Sequence, residues 1–363
     1  MNTKKTLPIF HAVFLIGFLL ILNSCSNTAK ETKKKEAQKT NYASEVIPFF
    51  QHWNLVLGDG SNAGPAIDYE HEDFFYTTND DQGNWVVFKS PNAGDTHGTS
   101  NNTRTELAQL KKWYPVSADD KLTATLKVMN VSATGDARVA ASYAVVVGQI
   151  HSADGHENEP LKIFYKKFPG HTKGSVFWNY EINTLGEDNS GRWDYSTAVW
   201  GYDLSVVGSE ENTYPEEPGD GIALGEEFSY EIKVKDGIMY LTFTSKGHET
   251  KTFTKNIIES EYTTTADIPL QTQNLFVPIG QDGVERENAY TGEGCFFKLG
   301  CYNQTNGLSP EINKHWCSGA KTFDGDIQKQ YETGNYAEVW FKTASITISD
   351  EAVSNQGYFT KND

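Results

Sequence analysis

Apolar residues in this chain recur at every second position and almost nowhere at the spacing of a helix. Leu122, Ala124, Leu126 and Val128 alternate with Thr and Lys, as a strand with one buried and one wet face requires. Comparable runs occupy residues 84–89, 103–110, 121–131, 139–151, 161–167, 175–183, 228–235, 238–245, 250–255, 295–304 and 337–348, behind a first strand near 55–57. Turn residues separate them, and Lys235-Asp236-Gly237 between two alternating runs signals a tight hairpin. Helical signals are confined to a short amphipathic turn within 44–53. So many strands with no helical pattern between them predict an all-β fold: a jelly-roll sandwich of two antiparallel sheets packed face to face. No repeat of fixed period is present, which disfavours a propeller or a solenoid.

The first 45 residues follow a different logic. Lys4 and Lys5 precede an apolar run over 9–22 that ends in Leu22-Asn23-Ser24-Cys25. A charged start, a short apolar stretch and small residues make an export signal, and the run is short for a bilayer span. A Cys in that place resembles the lipobox of bacterial lipoproteins. Residues 1–25 are therefore expected to be a lipoprotein signal with Cys25 acylated, attaching the protein to the cell envelope at the outer membrane. Residues 26–45, with Lys33, Lys34, Lys35 and Lys39 among Thr, Glu, Gln and Asn, read as a disordered tether. Residues 46–363 read as one functional domain.

Residues 1–45 hold seven Lys and three Glu of the chain's 31 basic and 48 acidic residues, so the domain carries a net charge near −21. Such a surface repels nucleic acid, and a monomer is expected. A polyanionic ligand would need cations gathered locally at its site. The domain has three thiols, Cys295, Cys301 and Cys317. Cys295 and Cys301 lie six residues apart on one strand, roughly 20 Å and beyond disulfide reach. Export permits a bridge: Cys301 with Cys317, closing the loop over 305–316, is the candidate, Cys295 with Cys317 is less favoured, and three free thiols remain open.

Three short stretches carry residue types suited to chemistry. In 294–304, Cys295, Phe297, Leu299 and Cys301 make one apolar face, while Lys298, Gly300, Tyr302 and Gln304 make the other. That second face offers a cation, a gap and two hydrogen-bonding groups in register, a floor on which a polar ligand can lie. In 102–107, Arg104 and Glu106 share a strand face, and at the end of an apolar strand so do Gln149 and His151. Taken singly, a strand Arg–Glu pair is usually a salt bridge and a terminal His a satisfied polar residue. Three long polar connections, 90–102, 185–225 and 305–335, are of the length that walls or covers a site. The second holds Trp193, Tyr195, Trp200 and Tyr202, aromatics that suit sugar rings or simply pin the loop; the third holds His315 and Trp316.

In this order, Arg-Thr-Glu-Leu, Gln-Ile-His and Phe-Lys-Leu-Gly-Cys-Tyr-Asn-Gln resemble the three signature blocks of the alginate lyases of polysaccharide lyase family 7. The stretches 160–179 and 225–243 are similar to that family's later strands, and the resemblance covers about 47–348. It implies a jelly roll whose concave sheet is the substrate groove, and alginate, a chain of 4-linked mannuronate and guluronate, as the partner. One position departs: the first block often ends in a second Arg, where this chain has Ala108. Subsite occupancy and uronate preference are therefore left open.

The implied reaction is a β-elimination. A base removes the proton on C5, the C4 oxygen leaves, and an unsaturated uronate remains. Removing that proton places a second negative charge on the neighbouring carboxylate, so donors fixed towards it stabilise the intermediate. The resemblance assigns that work to Arg104, Gln149 and His151. It assigns Tyr302 as base and acid when proton and leaving group share a face of the sugar, and His151 as base with Tyr302 as acid when they do not. Lys298 and Gln304 would bind the chain, with Glu106 orienting Arg104 from behind. No metal and no cofactor is needed. A glycoside hydrolase would require paired carboxylates on one strand, which are not found. A non-catalytic carbohydrate-binding protein would leave the base and acid unexplained. The long 185–225 and 305–335 loops are expected to close one end of the groove and make the enzyme exolytic; an endolytic lyase of the same family is the alternative.

Overall fold

The structure, a computed structural model, describes residues 42–47, 50–96, 100–153, 159–182, 193–258 and 293–360. The expected lipoprotein signal with Cys25, and the tether as far as residue 41, lie outside these. Ala43–Val46 forms a helical turn in which Ala43 is buried in the main core. The folded body thus reaches back to Tyr42, and the tether boundary at 45 is corrected accordingly.

Eighteen strands follow in chain order among the described residues. They are β1 (Trp53–Val56), β2 (Asn62–Gly64), β3 (Phe75–Asp80), β4 (Gly83–Pro91), β5 (Arg104–Gln109) and β6 (Lys111–Lys112). Next come β7 (Asp119–Asn130), β8 (Ala144–Ser152), β9 (Leu161–Lys166), β10 (Lys173–Ile182), β11 (Trp193–Trp200) and β12 (Ile222–Ala223). The last are β13 (Glu227–Lys235), β14 (Ile238–Ser245), β15 (Lys251–Asn256), β16 (Cys295–Asn303), β17 (Tyr336–Thr347) and β18 (Val353–Ser354). One sheet runs β11-β10-β9-β8-β16-β5-β1-β2, with β12 beside β10; the other runs β15-β14-β13-β7-β17-β4-β3. A small pair joins β18 to β6. The fold is the all-β jelly-roll sandwich that period two predicts.

Between the sheets, alternate residues of facing strands interdigitate. Leu122, Ala124, Leu126 and Val128 of β7 meet Val145, Val147 and Ile150 of β8 and the Cys295, Phe297, Leu299 and Cys301 face of β16 in one core. Each such large apolar side chain contributes about 1.5–3 kcal/mol by burial. The β13–β14 turn is the hairpin expected from Lys235-Asp236-Gly237: Asp236 and Gly237 have φ of 48° and 79°, the paired left-handed residues of a type I′ turn.

Some expectations fail for local reasons. Residues 139–143 form turns, not the start of a strand, with Tyr143 at a φ of 64°. The stretch 193–200, read as loop, is β11, so Trp200 is a core residue and not a groove aromatic. Within 305–335, Ile327–Glu332 is a helix capped by the Asp326 side chain. The expected Cys301–Cys317 bridge is not made: all three described thiols are free and buried. Cys301 points into the inter-sheet core, where burial pushes its thiol well up. The loop after β16 is closed instead by Asn306, whose amide donates to the Trp316 carbonyl (2.8 Å) and whose side-chain oxygen accepts from Leu308 (3.1 Å) and Ser318 (3.2 Å).

Candidate active site

The outer face of the first sheet carries the polar residues in rows. Lys298 on β16 pairs with Ala108 on β5 and Gln149 on β8. Gln149 pairs with Lys162 on β9, which pairs with Asn179 on β10. A second row holds Arg104, Tyr302, Val146, Phe164 and Phe177. Between the rows, residues 298–302 of β16 face 146–149 of β8, which face 162–164 of β9. Each strand spends one residue fewer than its neighbour over the same span. Such bulges bend the strands and increase their twist between the two rows.

Two glycines permit this. Gly300 has a φ of 150°, and an added Cβ would lie 2.5 Å from the Thr105 carbonyl oxygen and 3.2 Å from the Phe88 ring. It is small because its own neighbours crowd it, not because a ligand passes over it. An added Cβ at Gly148 would lie 2.6 Å from the Tyr230 hydroxyl oxygen; that hydroxyl comes from the opposite sheet and donates to the Val147 carbonyl (3.0 Å).

Glu106, itself buried, is where side chains of the two rows meet. Lys298 places its ammonium 2.7 Å from Glu106 Oε2, and Arg104 Nη1 lies 3.6 Å from the same oxygen. Gln149 Nε2 donates to Glu106 Oε1. The Arg104 guanidinium also lies over the Tyr302 ring, 3.8 Å from its centroid. Burial disfavours the Arg104 charge, but the facing Tyr302, Glu106, Tyr358 and Glu159 outweigh it and raise its pKa. Burial lowers the Lys298 pKa against the pull of Glu106. Two buried cations thus share one buried carboxylate, and Glu159 acts on both of them as well.

His151 lies on the same face, next to Gln149. Its Nδ1 is 2.6 Å from the Ser152 carbonyl oxygen, an acceptor only, so Nδ1 carries the proton and Nε2 keeps its lone pair. Nε2 lies 3.7 Å from Glu159 Oε1. Burial pulls the imidazole pKa down to about 4, with Lys298 and Arg104 acting in the same direction and Glu159 opposing. At neutral pH it is an uncharged base.

Tyr302 is half-buried, and its hydroxyl lies 3.1 Å from Ser100 Oγ. Ser100 belongs to the 90–102 connection; its role has no sequence signal beyond the length of that loop. Gln304, expected beside a ligand, is buried and turns its amide towards the Tyr302 carbonyl (3.5 Å). The neighbouring Asn303 is structural: its amide donates to the Pro91 carbonyl (2.9 Å) and to Asn92 Oδ1 (3.1 Å), tying β16 to the end of β4.

Further along the floor stands a second buried lysine. Lys162 is buried among carboxylates: Glu181, which it hydrogen-bonds, Glu159 at 3.2 Å and Asp194 at 3.9 Å. Asn179 donates to Asp194 (3.0 Å). Period two over 161–166 does place Lys162, Phe164 and Lys166 on one face, which is the signal that marks them. Beside them lies a second apolar cluster on the groove face, made of Ala140, Ala144, Val146, Phe164, Phe177 and Leu204, with Tyr302 and Trp316 packed on it. Buried Lys166 ties its covering loops together, donating to the carbonyls of Ala140 (2.7 Å) and Val206 (3.1 Å). Burial pulls that ammonium down to about 7.

A curved β-sheet presenting a buried Arg–Lys–Glu cluster, a neutral His and a Tyr defines a polysaccharide lyase. The family described as alginate lyase matches residues 47–348, and the chain belongs to it, within polysaccharide lyase family 7. An alginate lyase of Klebsiella pneumoniae is 28% identical over 297 residues, 71% of this chain and 83% of that protein. The crystal structure of the exolytic family 7 alginate lyase AlyA5 from Zobellia galactanivorans superposes with a TM-score of 0.78 at 63% identity, covering 85% of this chain and 98% of that one. The Klebsiella pneumoniae alginate lyase structure gives a TM-score of 0.54 at 22% identity, over 83% and 97% of the two chains.

Proposed function

We propose that this alginate lyase removes units from the end of 4-linked uronate chains by β-elimination, each cut leaving an unsaturated 4-deoxy uronate at the new non-reducing end. The observation that carries the reaction is the convergence of Arg104, Gln149, His151, Lys298 and Tyr302 on one floor around Glu106. In this reading a uronate carboxylate joins that cluster. Arg104 and the Gln149 amide meet it as donors and stabilise the second charge that grows when C5 loses its proton. His151, neutral and with its Nε2 lone pair available, takes that proton when the leaving oxygen is on the opposite face, and Tyr302 protonates the oxygen. Where both lie on one face, Tyr302 performs both transfers. Lys298 lies beside the carboxylate; Glu106 holds the cations and does not touch the sugar.

The exolytic reading rests on the loop residues Leu204 and Trp316, which pack with Tyr302 in one apolar cluster, and on AlyA5, which is described as exolytic. The expected export signal and Cys25 would place the enzyme on the cell envelope, at the outer membrane, where polymer arrives from outside. The test is direct. Mixing the protein with alginate is expected to raise the ultraviolet absorbance of the new C4–C5 double bond, and Tyr302→Phe to abolish that rise while alginate still binds. A flat trace for the wild type sinks the reading. Gel filtration of early products decides the mode: monomer or dimer released from polymer of nearly constant size supports exolysis, and rapid shortening overturns it.

A further inference from the structure

The family match ends at residue 348, but the chain continues back onto the site. Strand β18 pairs with β6. Buried Asn355 then fastens the chain to the end of β5, its backbone N–H donating to the Leu110 carbonyl (2.9 Å) and its amide to the Gln109 carbonyl (3.4 Å). The helical turn Gln356–Thr360 follows. It delivers two aromatic side chains to the groove face. Phe359 is buried against Ala108, Ala153 and Phe296. Tyr358 is half-buried, its ring 4.8 Å from that of Phe296 and edge-on to His151 at 5.4 Å.

Position 108 is in the polar row, paired with Lys298, and it is where the first signature block often carries a second Arg. With Ala108 that cation is missing and Phe359 packs on the small side chain left in its place. The neighbouring contact is Tyr358, whose phenol also faces Arg104. The segment therefore exchanges a charged contact for an aromatic one, beside the base.

We propose that the C-terminal segment is a wall of the substrate site, in which Tyr358 contacts the sugar next to the reacting uronate through its aromatic face. This rests on the lyase reading above. A pyranose presents apolar C–H faces between its polar rims, and a Tyr ring supplies a matching apolar surface with a hydroxyl at one end. Such a contact carries no charge, so salt does not screen it.

The experiment compares wild type, Tyr358→Ala, Tyr358→Phe and Tyr358→Leu on a defined oligouronate, reading the rate of unsaturated product and the melting temperature of each. Tyr358→Ala is expected to raise KM about tenfold with kcat within about threefold, the scale of losing one aromatic contact. Tyr358→Phe keeps the ring and is expected to stay within about threefold of wild-type KM. Tyr358→Leu preserves the packing on Phe296 without an aromatic face, and is expected to share the KM rise of the Ala variant. The ratio of variant to wild-type KM should stay constant as salt is raised. A wild-type KM in folded Tyr358→Ala and Tyr358→Leu overturns the proposal, as does a KM rise that vanishes at high salt. Wild-type protein that forms no unsaturated product from any uronate chain instead sinks the lyase reading, whatever Tyr358 does.

Discussion

Two buried lysines stand on one floor, on the strands either side of β8, among different neighbours. Lys298 shares Glu106 with Arg104. Among the described residues, Lys162 lies against Glu159, Glu181 and Asp194. Residue type, strand face and burial are the same, so the difference lies in the neighbours. In the proposed reaction a uronate carboxylate joins the first cluster beside Glu106. Lys162 is already met by carboxylates of the protein. A uronate chain lying across this floor would meet that difference in neighbours.

The comparison can be broken at its strongest point first. Glu106→Ala leaves Arg104 and Lys298 buried without their carboxylate, which should cost about 3–5 kcal/mol of stability; urea unfolding measures it. Turnover should fall by about a thousandfold or more, since Arg104 and Gln149 lose their common anchor. Near-normal rates would show that Glu106 positions nothing. On the other side, Glu181→Gln with Asp194→Asn removes two negative charges around Lys162. KM for polymer should drop about fivefold to tenfold at low salt and early products should lengthen on gel filtration; unchanged KM and product size would show that the field there does not matter.

His151 tests the same cluster through pH. Burial, helped by the nearby cations, lowers its folded pKa to about 4 from 6.5, so the unfolded chain binds the proton first as pH falls. The stability that depends on a neutral imidazole is complete above the unfolded pKa and is lost as pH falls towards 4, a change of about 2–3 kcal/mol. Thermal melts between those limits should show a smaller loss for His151→Asn than for wild type; parallel curves would refute the shift. The smallest effect expected is from Lys166→Met, which removes the tie to Ala140 and Val206. It should lower the melting temperature by a few degrees and admit slightly longer products, and products identical to those of wild type would separate the Lys166 tie from chain-end specificity.

Much of this floor was legible because period two is a strict rule. It places Arg104 with Glu106, Gln149 with His151 and Lys298 with Tyr302, and the sandwich follows from the same alternation. What period two does not carry was missed. Glu106 was read as orienting Arg104; that it also anchors Lys298 and Gln149 was not legible, because which of several polar residues on a face meet depends on the pairing register. Tyr358 comes from a tail without alternation, and Ser100 from a loop whose polar composition marks no single residue. The Cys301–Cys317 bridge followed from thiol count and loop closure; the core direction of Cys301 and the turn built by Asn306 decided otherwise. Gly300 was correctly singled out and wrongly explained, since crowding by Thr105 and Phe88 is a contact between distant parts of the chain.

The Tyr230 hydroxyl on the Val147 carbonyl has a consequence for how this site tolerates change. Val146 and Gln149 are three residues apart and both belong to the groove face, so the strand skips a beat between them, and the skip is braced from the far sheet. Odd and even positions exchange meaning at that point. Without the skip, residues three apart would point to opposite faces, and Val146 and Gln149 could not share one. The reading frame of the catalytic strand is therefore kept by a tyrosine that no substrate ever meets, and transplanting Gln-Ile-His to another scaffold requires taking that tyrosine along.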